Sequence, residues 1–234
     1  RLSELQKDFI NNMTHEFKTP ISTIKIAADV FAMHDNITSN SRLARYAQII
    51  REQNERLNTQ VEKVLQLTRI DKKTLELSPE NIDLHELLAT IVPSVQMKIE
   101  GLNGRLDLDF RAKKPFIEAD RLHLTNILHN LLDNAIKYSK PSGPLVKMTT
   151  EDLGSLVRLT IADAGIGIEK EHQKKVFHRF YRVPTGNVHN VKGFGLGMSY
   201  VKWVVDIHKG KIKVQSELGK GTKMMITLPV VNPK

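Results

Sequence analysis

Asp120-Arg-Leu-His-Leu-Thr-Asn-Ile-Leu-His-Asn130-Leu-Leu-Asp-Asn134-Ala-Ile-Lys137-Tyr138 is the stretch from which the architecture of this chain is read. An Asp ahead of apolar residues recurring every three or four places marks a capped amphipathic helix. Asp120 is therefore expected to cap a helix running to about Tyr138. Asn130, Asn134 and Lys137, spaced four and three, fall on one face, with Ile127, Leu131 and Ile136 opposite. Two amide oxygens and an ammonium on one face can hold a divalent cation and an anionic phosphate. An ordinary solvated helix face has the same pattern, so this cluster alone decides nothing.

Outward from that helix the pattern alternates between short strands and helices. Upstream, Asp83-Leu-His-Glu86 reads as a capping box opening a helix to about Ile99, and Leu106–Phe110 and Phe116–Glu118 read as strands. Downstream, Leu145–Thr150 and Leu156–Asp163 read as strands and 169–177 as a short helix. A loop over 178–195 leads into a helix ending near His208, and Lys211–Ser216 and Thr222–Leu228 form a hairpin around Gly219 and Gly221. Strands grouped with helices, without strict βαβ alternation, predict an α+β sandwich over residues 83–234, one sheet faced by helices.

Two glycine-bearing turns adjoin these elements. Asp163-Ala-Gly165-Ile-Gly167-Ile168 follows a strand and precedes a helix. A carboxylate there can accept from an exocyclic amine, and the glycines let backbone approach a ring. A dinucleotide loop needs a third Gly near position 170, which is Lys170, so that reading is weak. Gly193-Phe-Gly195-Leu196-Gly197 opens a helix, where free N–H groups and the dipole favour an anion, and no Gly-Lys-Ser/Thr follows to make a P-loop. Between them, Phe177-His-Arg179-Phe-Tyr-Arg182 sets two arginines among aromatics.

Residues 1–71 have a different period. Leu2, Leu5, Phe9, Met13, Phe17, Ile21, Ile24, Ala28 and Phe31 form one helical stripe, and Leu43, Tyr46, Ile50, Leu57, Val61, Val64, Leu65 and Thr68 form a second, separated by a turn-rich stretch at 34–41. Each helix would be about 45 Å long at 1.5 Å per residue. An antiparallel pair of that length leaves apolar surface uncovered. The expected remedy is a second copy, giving a homodimeric four-helix bundle. Residues 72–82 read as a linker, with a short strand at Leu75–Leu77. His15 lies two places from both Met13 and Phe17, hence about 200° from the stripe, toward water. Thr19 shares its face, Glu16 is adjacent, and Pro20 removes the helical partner of the Glu16 carbonyl. An exposed imidazole beside a carboxylate can act as a nucleophile; a solvated histidine beside a kink has the same spacing. A zinc-protease helix is excluded, because Thr19 stands where its second histidine belongs.

Composition narrows the classes further. The chain has 234 residues, 40% hydrophobic and 26% charged, which excludes wholesale disorder. It has no cysteine, which excludes a disulfide scaffold, thiolate-bound metals and a cysteine nucleophile. The formal net charge is +9, nearly all of it beyond residue 71, and suggests an anionic partner. No helix-turn-helix, RNP or zinc motif supports a nucleic-acid partner. No apolar run is long enough to span a membrane, so no membrane contact is expected of this part. The chain opens at Arg1 already in helical pattern, and a longer protein is expected.

Taken in order, these motifs resemble those of the bacterial sensor histidine kinases of two-component signalling, across nearly the whole chain. His15-Glu-Phe-Lys-Thr-Pro20 is similar to the family's H box, Asn130–Tyr138 to its N box, Asp163–Gly167 to its G1 box, Phe177–Arg182 to its F box and Gly193–Gly197 to its G2 box. The second half also resembles the wider superfamily of gyrase B, Hsp90 and MutL. The resemblance implies ATP and Mg2+ as cofactors, His15 as phosphoacceptor and Glu16 as the acceptor of its proton. Asn134 would bind Mg2+, with Asn130 and Lys137 close to the phosphates, and Asp163 would bind the adenine amine. Gly165, Gly167, Gly193, Gly195 and Gly197 would shape the nucleotide lid, with Tyr138, Ile168 and Leu196 in the same binding set, and Arg179 would reach the γ-phosphate. Thr19 would orient water for hydrolysis of the phosphorylated partner. The implied partners are a second copy and the receiver domain of a response regulator. The implied setting is the cytoplasmic part of a membrane-anchored sensor. Ala164 stands where the family often has Asn and Phe194 where it often has Thr; Met198 and Ser199 are ordinary variation. A non-catalytic dimeric module that holds nucleotide or partner is the alternative.

Overall fold

The structure is a computed structural model, and it describes residues 21–29, 31, 33, 43–52, 54, 55, 57, 77–179, 181–183 and 195–232. The chain divides into two compact units, Arg1–Glu76 and Leu77–Lys234.

In the first unit residues 21–29 and 43–52 are helical. They are tied by Asn54, whose Nδ2 donates to the Ile21 carbonyl at 2.9 Å, and by an Arg51–Asp29 ion pair of 3.3 Å. Ile21, Ala28, Ala47 and Asn54 are buried. Ile24, Phe31, Tyr46, Ile50 and Leu57 of the expected stripes are exposed in the single chain, the uncovered apolar surface expected of a lone helix pair, as are Ile26, Met33 and Ile49. One facing helix covers only a narrow strip of an apolar stripe about 100° wide, and the rest stays open.

In the second unit β1 (Pro79–Asp83) pairs antiparallel with β3 (Phe116–Asp120) as a two-stranded sheet, with buried Ile82 opposite buried Ile117. Pro79–Ile82 thus belong to a strand and not to the expected linker, and Leu77 is irregular. Asp83 caps α1 (Leu84–Glu100), its carboxylate accepting from His85 N and Glu86 N. The capping expectation there meets its physical cause: two donors that the helix cannot pair are satisfied. Asp120 does the same for α2 (Arg121–Lys137), accepting from His123 N at 3.0 Å.

The main sheet has five strands in the order β2-β4-β5-β7-β6: β2 (Arg105–Phe110), β4 (Leu145–Leu153), β5 (Leu156–Asp163), β6 (Lys211–Glu217) and β7 (Gly221–Pro229). β2 runs parallel to β4 and every other neighbour is antiparallel. A parallel pair needs a crossover, and β3 with α2 supplies it. Side chains alternate. Val146, Met148, Val157, Leu159, Ile161, Ile226 and Leu228 are buried, whereas Lys147, Glu151, Lys211, Lys213 and Lys223 are exposed. Among the described residues only one face of the sheet is therefore covered.

The covering layer is α1, α2 and α4 (Gly197–Ile207). α2 buries Leu124, Ile127, Leu128, Leu131, Leu132 and Ala135 at helical spacing. Ile136, expected on that face, is only half-buried, because the stripe turns toward Leu132 and Ala135. Each fully buried Leu or Ile stabilises the unit by about 1.5–3 kcal/mol relative to exposure. The helix expected over 169–177 is two pieces, α3 (Lys170–Gln173) and a 3₁₀ turn at Lys175–Phe177. Gln173 Nε2 donates to the carbonyls of Ile168 and Ser216, which pins the end of α3 to β6.

Candidate nucleotide site

The site lies where the C-terminal half of α2 meets two glycine-bearing turns. Asn130 and Asn134 are half-buried and Lys137 is exposed on the same side of α2. The helix ends at Tyr138, whose N–H donates to the Asn134 carbonyl at 3.0 Å. A lysine in this last turn complements the negative end of the helix dipole. Lys137 Nζ also sits 5.3 Å from the centre of the Tyr138 ring.

The first turn is built around the Asp163 carboxylate. Its Oδ1 accepts from Gly165 N at 2.8 Å and from Thr222 N at 3.2 Å. Burial pushes the Asp163 carboxyl up from its usual range, and these two N–H groups pull it back. The turn is clasped to the end of α2, because Ile166 N donates to the Tyr138 carbonyl at 3.0 Å. That approach demands glycine at 165: a Cβ there would come within 2.4 Å of the Tyr138 carbonyl oxygen and 2.8 Å of Asp163 Oδ1. Gly167 is held at φ +73°, and a Cβ on it would meet the Glu217 carbonyl oxygen at 2.0 Å. Ile168 N then donates to Ser216 Oγ at 2.8 Å, and that hydroxyl also contacts Thr222 Oγ1 at 2.9 Å.

The second turn contributes Gly195, Leu196 and Gly197. Leu196 is buried, and Gly197 opens α4 against α2, where a Cβ would stand 3.2 Å from Asn130 Oδ1. The next residue, Met198, receives a hydrogen bond from Asn134 Nδ2 at 3.4 Å. The start of α4 and the Asn130–Asn134 face therefore form one wall.

The 3₁₀ turn Lys175–Phe177 packs against α4. Tyr181 Oη and His172 Nδ1 are 2.6 Å apart, and His172 Nε2 lies 3.2 Å from a Glu171 oxygen. Arg182 acts electrostatically on Tyr138, its charge lowering a phenol that burial raises. Arg179 is exposed. Behind the site, buried His123 Nδ1 contacts Tyr200 Oη at 2.7 Å, joining α2 to α4. Burial holds the His123 imidazole below its usual pKa and pushes the Tyr200 phenol up to about 12.

Asn130, Asn134, Lys137, Tyr138, Asp163, Gly165, Gly167, Ile168, Gly195, Leu196 and Gly197 thus fall on α2 and the two turns packed around it. His15, Glu16, Thr19 and Gly193 lie outside the described residues. Sequence reading passed over Ser216, Thr222 and His172. The first two enter through strand pairing from far along the chain, which has no local signal. The third was one histidine among nine. A groove of about 480 Å³ lined by Ile168, Glu169, Gln173, Ser216 and Leu218 lies beside the first turn, but its walls hold neither Asn130, Asn134 nor Asp163.

A carboxylate beside two glycines, an Asn–Asn–Lys helix face and a helix start, set on a one-faced α+β sheet, define a nucleotide-binding domain. The comparisons carry this to a family. Residues 119–232 match the profile of the histidine kinase-, DNA gyrase B-, and HSP90-like ATPases, and residues 5–73 match that of the His Kinase A (phospho-acceptor) domain. The chain is 46% identical over 233 residues to the sensor protein RprX of Bacteroides fragilis, covering 99% of this chain and 45% of that one. It is 32% identical over 228 residues to the sensor protein SrrB of Staphylococcus aureus, covering 97% and 39%. It therefore spans less than half the length of these curated relatives. Among solved structures, full-length ShkA in complex with AMPPNP matches with a TM-score of 0.78 at 24% identity, over 97% of this chain and 46% of that one. The catalytic domain of histidine kinase ThkA matches with a TM-score of 0.57 at 26% identity, over 66% of this chain and 97% of that one. ThkA in complex with the response regulator protein TrrA matches with a TM-score of 0.64 at 23% identity, over 98% and 64%. The chain belongs to the sensor histidine kinases and carries their catalytic region, with an ATP-binding domain of the superfamily that includes gyrase B and Hsp90. These relatives favour a kinase over a non-catalytic module. Among the described residues no helix is long and apolar enough to cross a membrane.

Proposed function

We propose that this chain binds ATP between α2 and the two glycine turns, transfers its γ-phosphoryl group to His15, and passes that group to an aspartate on the receiver domain of a response regulator. The observation that carries this reading is the meeting of the Asn130–Asn134–Lys137 face with the Asp163–Gly165 turn at the Tyr138 carbonyl. That geometry offers one end for adenine and the other for phosphates. The second oxygen of Asp163 accepts from the adenine amine while Oδ1 stays with Gly165 and Thr222. Lys137 offsets phosphate charge, and the start of α4 turns N–H groups toward it. The site suits Mg2+: the Asn134 amide commits its nitrogen to Met198, so its oxygen is the atom on offer to a hard cation. Mg2+, when bound, neutralises phosphate charge as the β–γ bond breaks.

A ring nitrogen of neutral His15 attacks the γ-phosphorus, an N–P bond forms, the bond to the bridging oxygen breaks and ADP leaves. Glu16 takes the imidazole proton. The ring must be neutral to attack, which is the form a free imidazole mostly takes at pH 7. Thr19 orients water when the phosphorylated regulator is hydrolysed. Residues 1–71 act as the phosphoacceptor hairpin, 72–78 as the connection and 79–234 as the catalytic domain, which begins with the strand Pro79–Asp83. The hairpin dimerises, and exposed Ile24, Ile50 and Leu57 support that reading. The whole protein is a membrane-anchored sensor with this part in the cytoplasm; the length of the relatives named as sensor proteins supports it.

The test is incubation with γ-labelled ATP, wild type against His15→Gln. Acid-labile, alkali-stable label is expected in the wild type and absent from the variant. Label that persists at full level in His15→Gln would overturn the assignment.

A further inference from the structure

We propose that Met198 is a positioning residue for Asn134, its thioether selecting which end of the Asn134 amide faces the cation and phosphates. This rests on the reading of the site given above. An asparagine amide has two ends of nearly equal size, and its terminal torsion is broadly two-fold. The oxygen end can ligate a hard cation; the NH2 end cannot. Something must therefore choose between them.

Met198 Sδ lies 3.4 Å from Asn134 Nδ2. A thioether is an acceptor with no proton to give. With nitrogen toward sulfur the pair makes a hydrogen bond; with oxygen toward sulfur, two acceptors meet. The contact reads the amide and turns Oδ1 away from the sulfur. Leucine, with no lone pair, would pack against either end alike.

The reader is itself held in place. Met198 is the second residue of α4, and Gly197 brings that turn close enough to α2 that a Cβ would stand 3.2 Å from Asn130 Oδ1. Ser199 Oγ donates to the Leu196 carbonyl at 2.8 Å, closing the same turn, and Leu196 is buried. An unbranched side chain launched from this fixed turn spans the gap to Asn134. Because a thioether is a weak acceptor, its effect is a bias in orientation and not a large affinity.

The test uses the whole chain and titrates AMPPNP calorimetrically into wild type and Met198→Leu, each with Mg2+ and with EDTA. The expected result is equal affinity in EDTA and a Mg2+-dependent gain smaller by about two- to five-fold in the variant. In wild type an NMR cross-peak is expected between the Asn134 side-chain N–H protons and the Met198 methyl, before nucleotide or metal is added. Equal melting temperatures check that the core is undisturbed. A full Mg2+ gain in Met198→Leu, or an equal loss with and without Mg2+, would overturn the proposal. A wild type that binds no AMPPNP, or gains nothing from Mg2+, sinks the underlying site reading instead, and the two failures are told apart by the wild-type titration alone.

Discussion

Replacing Asp163 by Asn separates what the site costs the fold from what it does for the ligand. The carboxylate is partly buried, and its Oδ1 already accepts from Gly165 N and Thr222 N. An amide oxygen can accept both bonds, so the turn survives the substitution. Burial raises the folded pKa above its unfolded value. Such a group contributes stability that is fully present below the ordinary carboxylate range and lost as pH rises through the folded pKa. At neutral pH the charge is therefore a burden on the empty protein, and Asp163→Asn is expected to melt at the same temperature or higher. That advantage should open as pH rises above about 4 and flatten toward neutrality. Binding moves the other way. The second carboxylate oxygen becomes an NH2 group and confronts the adenine amine, donor against donor. Losing a hydrogen bond to a charged group costs about 1.5–3 kcal/mol, or roughly ten- to 150-fold in Kd. Melting curves from pH 4 to 8 and calorimetric titration with AMPPNP measure both arms. A variant that melts lower at neutral pH, or binds AMPPNP as tightly as wild type, refutes the reasoning.

Gly167→Ala should unfold the second unit far more easily than Gly154→Ala. Both positions have positive φ, but only at 167 would the new Cβ meet backbone, at 2.0 Å from the Glu217 carbonyl oxygen, while at 154 nothing lies within 4 Å. The left-handed conformation alone costs about 1–2 kcal/mol, so we expect about 1 kcal/mol at 154 and upward of about 3 kcal/mol at 167 in urea titrations. Tyr200→Phe should remove an alkaline transition. The folded phenol titrates at about 12, above the unfolded value, so wild-type stability falls as pH rises from about 10 to 12, by at most about 3 kcal/mol. The variant, compared by denaturant titration across that range, should show a shallower fall, the remainder coming from groups such as the Tyr138 phenol, which burial also raises. It should also lose about 1 kcal/mol at neutral pH for the missing bond to His123.

Legibility in the sequence followed the range of the interaction. Asp83 and Asp120 announced their helices because a cap bonds only two or three residues ahead. β5 was read to its ends, because alternation is a local period. The helix at 169–177 was misread as one piece; its first half ends at Gln173, whose side chain bonds Ser216, 43 residues away, a partner that no local pattern shows. The linker was drawn too long because β1 has no strong strand signal: Pro79-Glu-Asn-Ile-Asp83 becomes a strand only by pairing with β3. In the hairpin the first stripe held the buried Ile21 and Ala28, but on the second helix the small Ala47, outside the expected stripe, is buried.

The amino-acid order alone determined the motifs and their sequence along the chain, and hence the family, because those residue types carry their chemistry wherever they sit. The tertiary structure decided how they share a site. Asp163 reaches its bonding partner Thr222 only through β5–β7 pairing, and Asn134 meets Met198 only because α4 folds back on α2. A pattern encodes contacts a turn or a strand apart; contacts 59 and 64 residues apart exist only once the sheet and its helices have closed.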